Sequence, residues 1–357
     1  MYPYEFDTAI VKNRWYIAAF SREITRDPIE RTFLGKPVAL YRKEDGTPVA
    51  MYGLCPHRYF PLAQGKVEGD ALKCGYHGFT FDADGTCIRI PSQDVAGKFC
   101  QPTYPIVERG PLCWIWMGDE DKAGEVDIPP YEDFGLDQPG WRYSSENYFH
   151  SNGRAQLLID NLMDLTHLAY IHHHVDGGES MAKTAIETAD RPQSYQIMRS
   201  GKVPFNPFFE MIFGADARYE GLSDFTTVCD FYGPEFIRTG LPIMDILPAG
   251  KPVPKGLREL YILHGMTPET EHTTHYFGFA TRNFKLEDDA LDEFWLGSDN
   301  KIRQQDIDAI DLVEQRLEYG AQHQKELLVV ADRPAIKARK IIHALLEKEN
   351  NPQAADA

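Results

Sequence analysis

The chain has 357 residues, 43% hydrophobic and 25% charged, which is enough apolar material for two cores rather than one. Its formal net charge of −17 is spread along the length, so a phosphate backbone or an anionic membrane surface is repelled, and neither nucleic acid nor membrane is expected as a partner. Six cysteines are too few for a disulfide scaffold and suit metal ligation or core positions in a reducing compartment.

The N-terminal stretch through Phe20 has no basic region followed by an apolar core and a small-residue cleavage site. No apolar run approaches membrane-spanning length, so a cytoplasmic location is expected. From Trp15 to Met117 the chain reads as short β runs broken by Gly, Pro and Asp, among them Trp15 to Phe20, Val38 to Tyr41 and Val49 to Tyr52. Phe79 to Ile88 reads as a hairpin, with Asp84-Gly85 supplying the positive φ of a tight turn. The polar stretch from Gly118 to Glu125, then Pro129-Pro130 and Pro139-Gly140, marks a boundary, so an all-β domain over residues 1–140 is expected.

From Trp141 the pattern becomes mixed, giving an α+β chain with a second domain over residues 141–357. An apolar helix is predicted over Ala155 to Ile171, and strands over Tyr261 to Met266 and Thr274 to Ala280, joined by the turn Thr267-Pro268-Glu269-Thr270. Helices near Asp299 to Gln322 and Ala335 to Glu349 follow, and then a frayed tail.

The strongest chemical signal is Cys55-Pro56-His57, followed after sixteen residues by Cys74-Gly75-Tyr76-His77. Two thiolates suit one iron of a [2Fe–2S] cluster and two imidazoles the other, a ligand set that raises the reduction potential. A structural zinc site would accept the same four side chains, but zinc fingers pair Cys with Cys and His with His, whereas each half here holds one of each. Cys87, Cys100, Cys113 and Cys229 have no comparable spacing and read as buried small hydrophobes.

Asp160, Asn161, Asp164, His167 and His172 form a second constellation. On a regular helix Asp160, Asp164 and His167 fall within about 60° of one another, and buried groups of this kind must be paired or bind metal. His172 would lie about 140° from His167, so both reach one ion only where the helix breaks or bulges. A mononuclear iron that activates O2 takes two histidines and one carboxylate. Asp306 interrupts the apolar stripe Ile302, Ile310, Val313, Leu317 and is the expected third ligand, while Asp299 reads as an acid in the first turn of that helix. His173 and His174 read as bystanders, and His150, His272 and His275 show no supporting spacing.

With both constellations, the chain resembles Rieske non-haem iron oxygenases, in particular the vanillate and dicamba O-demethylase oxygenase subunits. The likeness runs through Asn13-Arg14-Trp15-Tyr16, Cys55-Pro56-His57-Arg58, Tyr76-His77-Gly78, Asp160 to Asp164, Thr267 to Thr270, and Asp306 with Glu314. It implies an N-terminal Rieske [2Fe–2S] domain and a C-terminal helix-grip catalytic domain, an antiparallel sheet around a long helix. The implied cofactors are the cluster and one Fe(II), with electrons from NAD(P)H through a separate reductase or a ferredoxin.

The resemblance also implies a head-to-tail homotrimer in which His77 contacts Asp164 of the next subunit and Asp164 contacts His167. Asn161 would lie beside the iron, and His264 would contact substrate, with a hydrogen-bonded sheet histidine as the alternative. The implied reaction is O2-dependent O-demethylation of a small methoxylated aromatic. Hydroxylation of a ring or another alkyl group stays open, as does, more remotely, a Rieske electron carrier. Respiratory carriers have an added cysteine pair where Phe60 and Tyr76 stand here. The stretch between Arg199 and Asn283, especially Phe205 to Tyr232, departs from the demethylases, and pocket walls decide substrate choice.

Overall fold

The computed structural model describes residues 10–93, 99–172, 183–204, 207–214, 222–243 and 258–351; His173 and His174 lie outside them. The chain divides into two compact units, one of residues 10–128 with 267–271, the other of described residues from 129 on. The division precedes the expected boundary at 140 because Tyr131, Phe134 and Leu136 are buried, and Thr281 donates its hydroxyl to the Phe134 carbonyl, all within the second unit.

The first unit is all β. It contains β1 (Trp15–Phe20), β2 (Ile29–Phe33), β3 (Lys36–Arg42), β4 (Pro48–Tyr52), β5 (Lys66–Glu68) and β6 (Ala71–Lys73), then β7 (Thr80–Phe81), β8 (Cys87–Arg89), β9 (Thr103–Tyr104), β10 (Ile106–Arg109) and β11 (Leu112–Trp116). These form three antiparallel sheets, ordered β1-β11-β10, β2-β3-β4-β9 and β5-β6-β7-β8. β1 and β11 are buried at every position, so their sequences are continuous apolar runs instead of alternating ones. At the β7–β8 turn Gly85 has φ +82°, and a Cβ there would meet the Gln101 carbonyl oxygen at 1.9 Å, so only glycine fits.

The second unit is a seven-stranded antiparallel sheet. Its strands are β12 (Arg142–Ser151), β13 (Glu187–Asp190), β14 (Tyr195–Pro204), β15 (Leu222–Gly233), β16 (Phe236–Ile243), β17 (Leu260–Pro268) and β18 (Thr274–Arg282), ordered β12-β18-β17-β16-β15-β14-β13. Its described helices are α1 (Ala155–Met163), α2 (Pro207–Phe213), α3 (Asp289–His323) and α4 (Arg333–Asn350). Leu158, Met163, Ile197, Phe231, Ile307 and Ala338 share one core between the sheet and α1, α3 and α4. No described helix is long and apolar enough to cross a membrane.

Four expectations are corrected. The helix predicted over Ala155 to Ile171 ends at Met163; Asp164 is extended, and a 3-10 turn covers Leu165–Ala169. Asp164 forces the break by turning its carboxylate onto the Thr166 amide at 2.9 Å, satisfying a new helix start instead of continuing the old one. α3 begins at Asp289, capped by Asp288, so Asp299 is not in its first turn but is buried mid-helix. The buried stripe of α3 is Leu291, Trp295, Asp299, Arg303, Asp306, Ile307, Ile310, and Val313 is exposed, so the burial pattern rotates away from the stripe expected from apolarity. Cys87, Cys113 and Cys229 are buried as expected, but Cys100 is exposed.

Candidate metal centres

Cys55 and Cys74 open two loops that repeat one backbone pattern. The Cys55 amide donates to Phe60 O (2.9 Å) and Tyr59 N to Cys55 O (2.8 Å); likewise Cys74 N donates to Phe79 O (2.7 Å) and Gly78 N to Cys74 O (3.1 Å). Both loops turn through a left-handed residue, Tyr59 at φ 55° and Gly78 at φ 72°. The two thiols are buried, while the His57 and His77 rings are exposed and adjacent, 4.6 Å between centroids. Burial pushes the Cys55 thiol up to about 11, opposed by the His57 and Arg58 amides that point at it and reinforced by the neighbouring Cys74 thiol. Amides aimed at sulfur stabilise thiolates in an iron–sulfur site, so the donor set fits a [2Fe–2S] cluster with the imidazoles at its outer face. Phe60 and Tyr76 lie 5.7 Å apart across the loops.

The second centre draws on three elements. His167 stands on the 3-10 turn, His172 just beyond it and Asp306 on α3. One donor atom from each lies within 4.8 Å of the other two. His172 Nε2 is 3.0 Å and His167 Nε2 3.6 Å from Asp306 Oδ1. Donors about 2.1 Å from an ion and at right angles lie about 3.0 Å apart, so this spacing suits one small cation. His172 Nε2 is buried beside that carboxylate yet has no aligned hydrogen-bond partner, a costly state that a metal relieves. The break at Asp164 therefore does what a regular helix could not: it brings both imidazoles to the same carboxylate.

The rings are oriented from behind. His167 Nδ1–H donates to the Asp164 carbonyl at 2.5 Å, and His172 Nδ1–H donates to Gln305 Oε1 at 3.1 Å, so both Nε2 lone pairs face Asp306. Burial lowers the His167 pKa, against the pull of Asp306. Burial also acts to lower that of His172, but the Asp306 carboxylate outweighs it and the net direction is upward. Asn161 Nδ2 donates to Asp306 Oδ1 at 3.2 Å, fixing that carboxylate. Gln305 gave no signal in the sequence beyond standing next to Asp306. Gln305→Leu is expected to weaken retention of mononuclear iron about tenfold or more, read as metal content after dialysis, with the cluster absorbance unchanged. Iron retention equal to that of the parent protein would remove Gln305 from this role.

Other sequence-singled residues sit differently. Asp160 turns to Arg339, 2.7 Å from its Nη2, and takes no part in the centre. The Asp164 carboxylate accepts from Thr166 N and Oγ1 (2.9 and 2.7 Å), so its link to His167 runs through the backbone carbonyl. The implied His77–Asp164 contact would join two subunits. His264 is 5% exposed, with Nε2 2.8 Å from Thr239 Oγ1 and Nδ1 within 2.7 Å of both Tyr276 Oη and Arg303 Nη1. Outside the centre, a groove of 1130 Å³ is bordered by Asp160, Asn161, Asp164, His167, Val313 and Arg339.

Residues 14–105 match the Rieske [2Fe-2S] domain, and residues 151–348 match the vanillate O-demethylase oxygenase C-terminal domain. The chain is 35% identical over 365 aligned residues to the putative toluene-4-sulfonate monooxygenase system iron-sulfur subunit of Comamonas testosteroni, covering 97% of this chain and 99% of that protein. It is 30% identical over 349 residues to the oxygenase component of dicamba O-demethylase from Stenotrophomonas maltophilia, covering 95% and 98%. Its fold is similar to the crystal structure of dicamba monooxygenase bound to dicamba, with a TM-score of 0.83 at 27% identity, covering 96% of this chain and 99% of that one.

Proposed function

The chain belongs to the Rieske non-haem iron oxygenases that carry the vanillate O-demethylase oxygenase C-terminal domain, and on that premise we propose that it demethylates a small methoxylated aromatic. It is the oxygenase component of a multicomponent system, dependent on electrons from a reductase. The observation that carries the reading is the convergence of His167, His172 and Asp306 in a chain that also holds the Cys55, His57, Cys74, His77 set. When bound, the cluster supplies single electrons and ferrous iron at the triad supplies O2 activation.

The chain's own residues do the rest. The two imidazoles, oriented by Asp164 and Gln305, present Nε2 on one side of the site, and Asp306, held by Asn161, closes the set. With three protein donors, an iron held here would keep a side open at which O2 could bind. The buried side chains of Leu158, Met163, Met266 and Tyr276 keep bulk water from the interior of the unit. One oxygen atom enters a methyl C–H bond, and the other leaves as water with two electrons and two protons. The resulting hemiacetal expels formaldehyde and leaves a phenol.

A second reading, hydroxylation of a methyl group on the ring, is favoured by the relative named for toluene-4-sulfonate, whose methyl carbon carries no oxygen. For electron delivery, a head-to-tail trimer would place a neighbour's His77 at the groove where Asp164 and His167 are reached from outside. The test is a single turnover. Chemically reduced protein receives O2 with methoxybenzoates, toluene-4-sulfonate and their neutral counterparts. Formaldehyde equal to the phenol formed supports demethylation; a hydroxymethyl product without formaldehyde moves the assignment to the second reading. Oxygen uptake without either product across the panel overturns both.

A further inference from the structure

Glu314 accompanies Asp306 in the sequence but takes no part in the triad, and the fold gives it another partner. It stands on α3 beyond Asp306, about 12 Å further along the helix axis. Its carboxylate holds the Arg154 guanidinium at two points, Nε 2.6 Å from Oε2 and Nη2 2.6 Å from Oε1, and the Arg154 amide reaches Oε2 at 3.3 Å. The two side chains are 2% and 10% exposed. Burial acts to raise the Glu314 carboxyl, but hydrogen bonds from Arg154 and His272 outweigh it and hold the group below its ordinary range.

Arg154 is the residue from which α1 starts, and the bend that leads to it is pinned from several sides. Ser151 Oγ and Asn152 Nδ2 donate to the Asp311 carboxylate at 2.9 Å each, and the Gly153 carbonyl accepts from Thr274 Oγ1 at 2.8 Å. Gly153 lets α3 come close: a Cβ there would meet Ile310 Cγ2 at 2.4 Å.

The chain leaving this bend runs back along α3, so what is fixed there carries through to Asn161 at Asp306 and to His172 at Gln305. In between, α1 and α3 share a core through Leu158, Leu162, Ile307 and Ile310, and apolar burial is non-directional. A small slide of one helix along the other would cost that core little, yet it would change the 3.0 and 3.6 Å approaches of His172 and His167 to Asp306. A buried ion pair is weak evidence for stability, and its best-attested use is to fix a register.

We propose that Arg154 and Glu314 are a positioning pair that sets the register of α1 against α3, and through it the reach of His167 and His172 to Asp306, so that this pair governs metal affinity without touching the metal. The proposal rests on the triad reading above.

The test uses protein that keeps its cluster, is stripped of mononuclear metal and is titrated with Co(II) against a competing chelator. The double variant Arg154→Met, Glu314→Leu removes both charges and leaves no buried unpaired ion; Glu314→Asp keeps both charges and draws Arg154 back by one methylene. In the double variant the Tm of the metal-free protein is expected to equal or exceed the parent's, as apolar replacement of a buried pair often allows. Its Co(II) dissociation constant is expected to rise about tenfold, the lower end of what changing groups outside the ligands costs, and that of Glu314→Asp to rise less. The EPR signal of bound Co(II), read with the cluster oxidised and silent, is expected to broaden in both as the donor distances spread. A pair that serves the fold alone would lower Tm and leave the Co(II) constant and signal at the parent's values, and that result overturns the proposal. Should the double variant not fold, parent-like affinity and signal in Glu314→Asp overturn it equally. A parent that binds no Co(II) overturns the triad itself, and the proposal with it.

Discussion

Asp306→Ala is expected to yield a protein with an intact cluster, no retained mononuclear iron and product formation lowered at least about a thousandfold, the scale on which single catalytic groups act. The reason is that Asp306 is the shared partner in the centre: His172 and His167 approach the same Oδ1, and Asn161 donates to it. Without it two imidazoles remain on one side, and a divalent ion loses both a donor and its neutralising charge. The cluster loops belong to the other unit, so their visible absorbance is an internal control for folding. Iron analysis alongside formaldehyde or hydroxymethyl product decides the matter; iron held at the parent's level in Asp306→Ala would discard the triad.

The second large effect falls on Asp164. Its side chain starts the 3-10 turn by accepting from Thr166, and its carbonyl orients His167. Asp164→Asn keeps an oxygen able to accept from the Thr166 amide, so the turn and the iron are expected to survive. The charge that faces the outer groove is lost, and with it the proposed link to a neighbour's His77. Turnover driven by the reductase is expected to drop on the order of a hundredfold, the upper end of what changing a group just outside the ligands costs, while the carbonyl bond to His167 stays. Stopped-flow absorbance would show a normally reduced cluster that is slow to reoxidise with O2 and substrate. Rapid reoxidation with full product yield would leave Asp164 with only its turn-capping role. Asp164→Ala adds the loss of the cap, about 1 kcal/mol, so it separates the structural part from the electronic one.

The sequence by itself determined what is encoded over short distances. Cys55, His57, Cys74 and His77 were legible because each loop of the site needs only a few residues of fixed spacing and a left-handed turn, supplied here at Tyr59 and Gly78. The β strands around Trp15, Val38 and Val49 were legible as well, since apolar runs bounded by turn residues have few other conformations in which to be buried. His167, His172 and Asp306 could be named from chemical type and from the cost of burying them, and their convergence needed only the break that the five-residue spacing already required.

Tertiary structure decided the rest, because partners far apart in sequence compete for the same polar atoms. Asp160 read as part of the metal face, yet Arg339 of α4 claims it. Asp299 read as a helix-end acid, yet α3 starts ten residues earlier and Asp299 pairs inside with Arg303 and Asn147. The acid–base spacing of 299 and 303 was visible, but the same spacing is common on solvated helix faces, and only burial separates the two cases. His264 was recognised as a candidate without its partners, since Thr239, Tyr276 and Arg303 come from two other strands and a helix. Ligand identity is a local property of side-chain chemistry and spacing; orientation, tautomer and charge balance are set by which distant groups the fold presses against them, and that information exists only once the sheet has closed over α3.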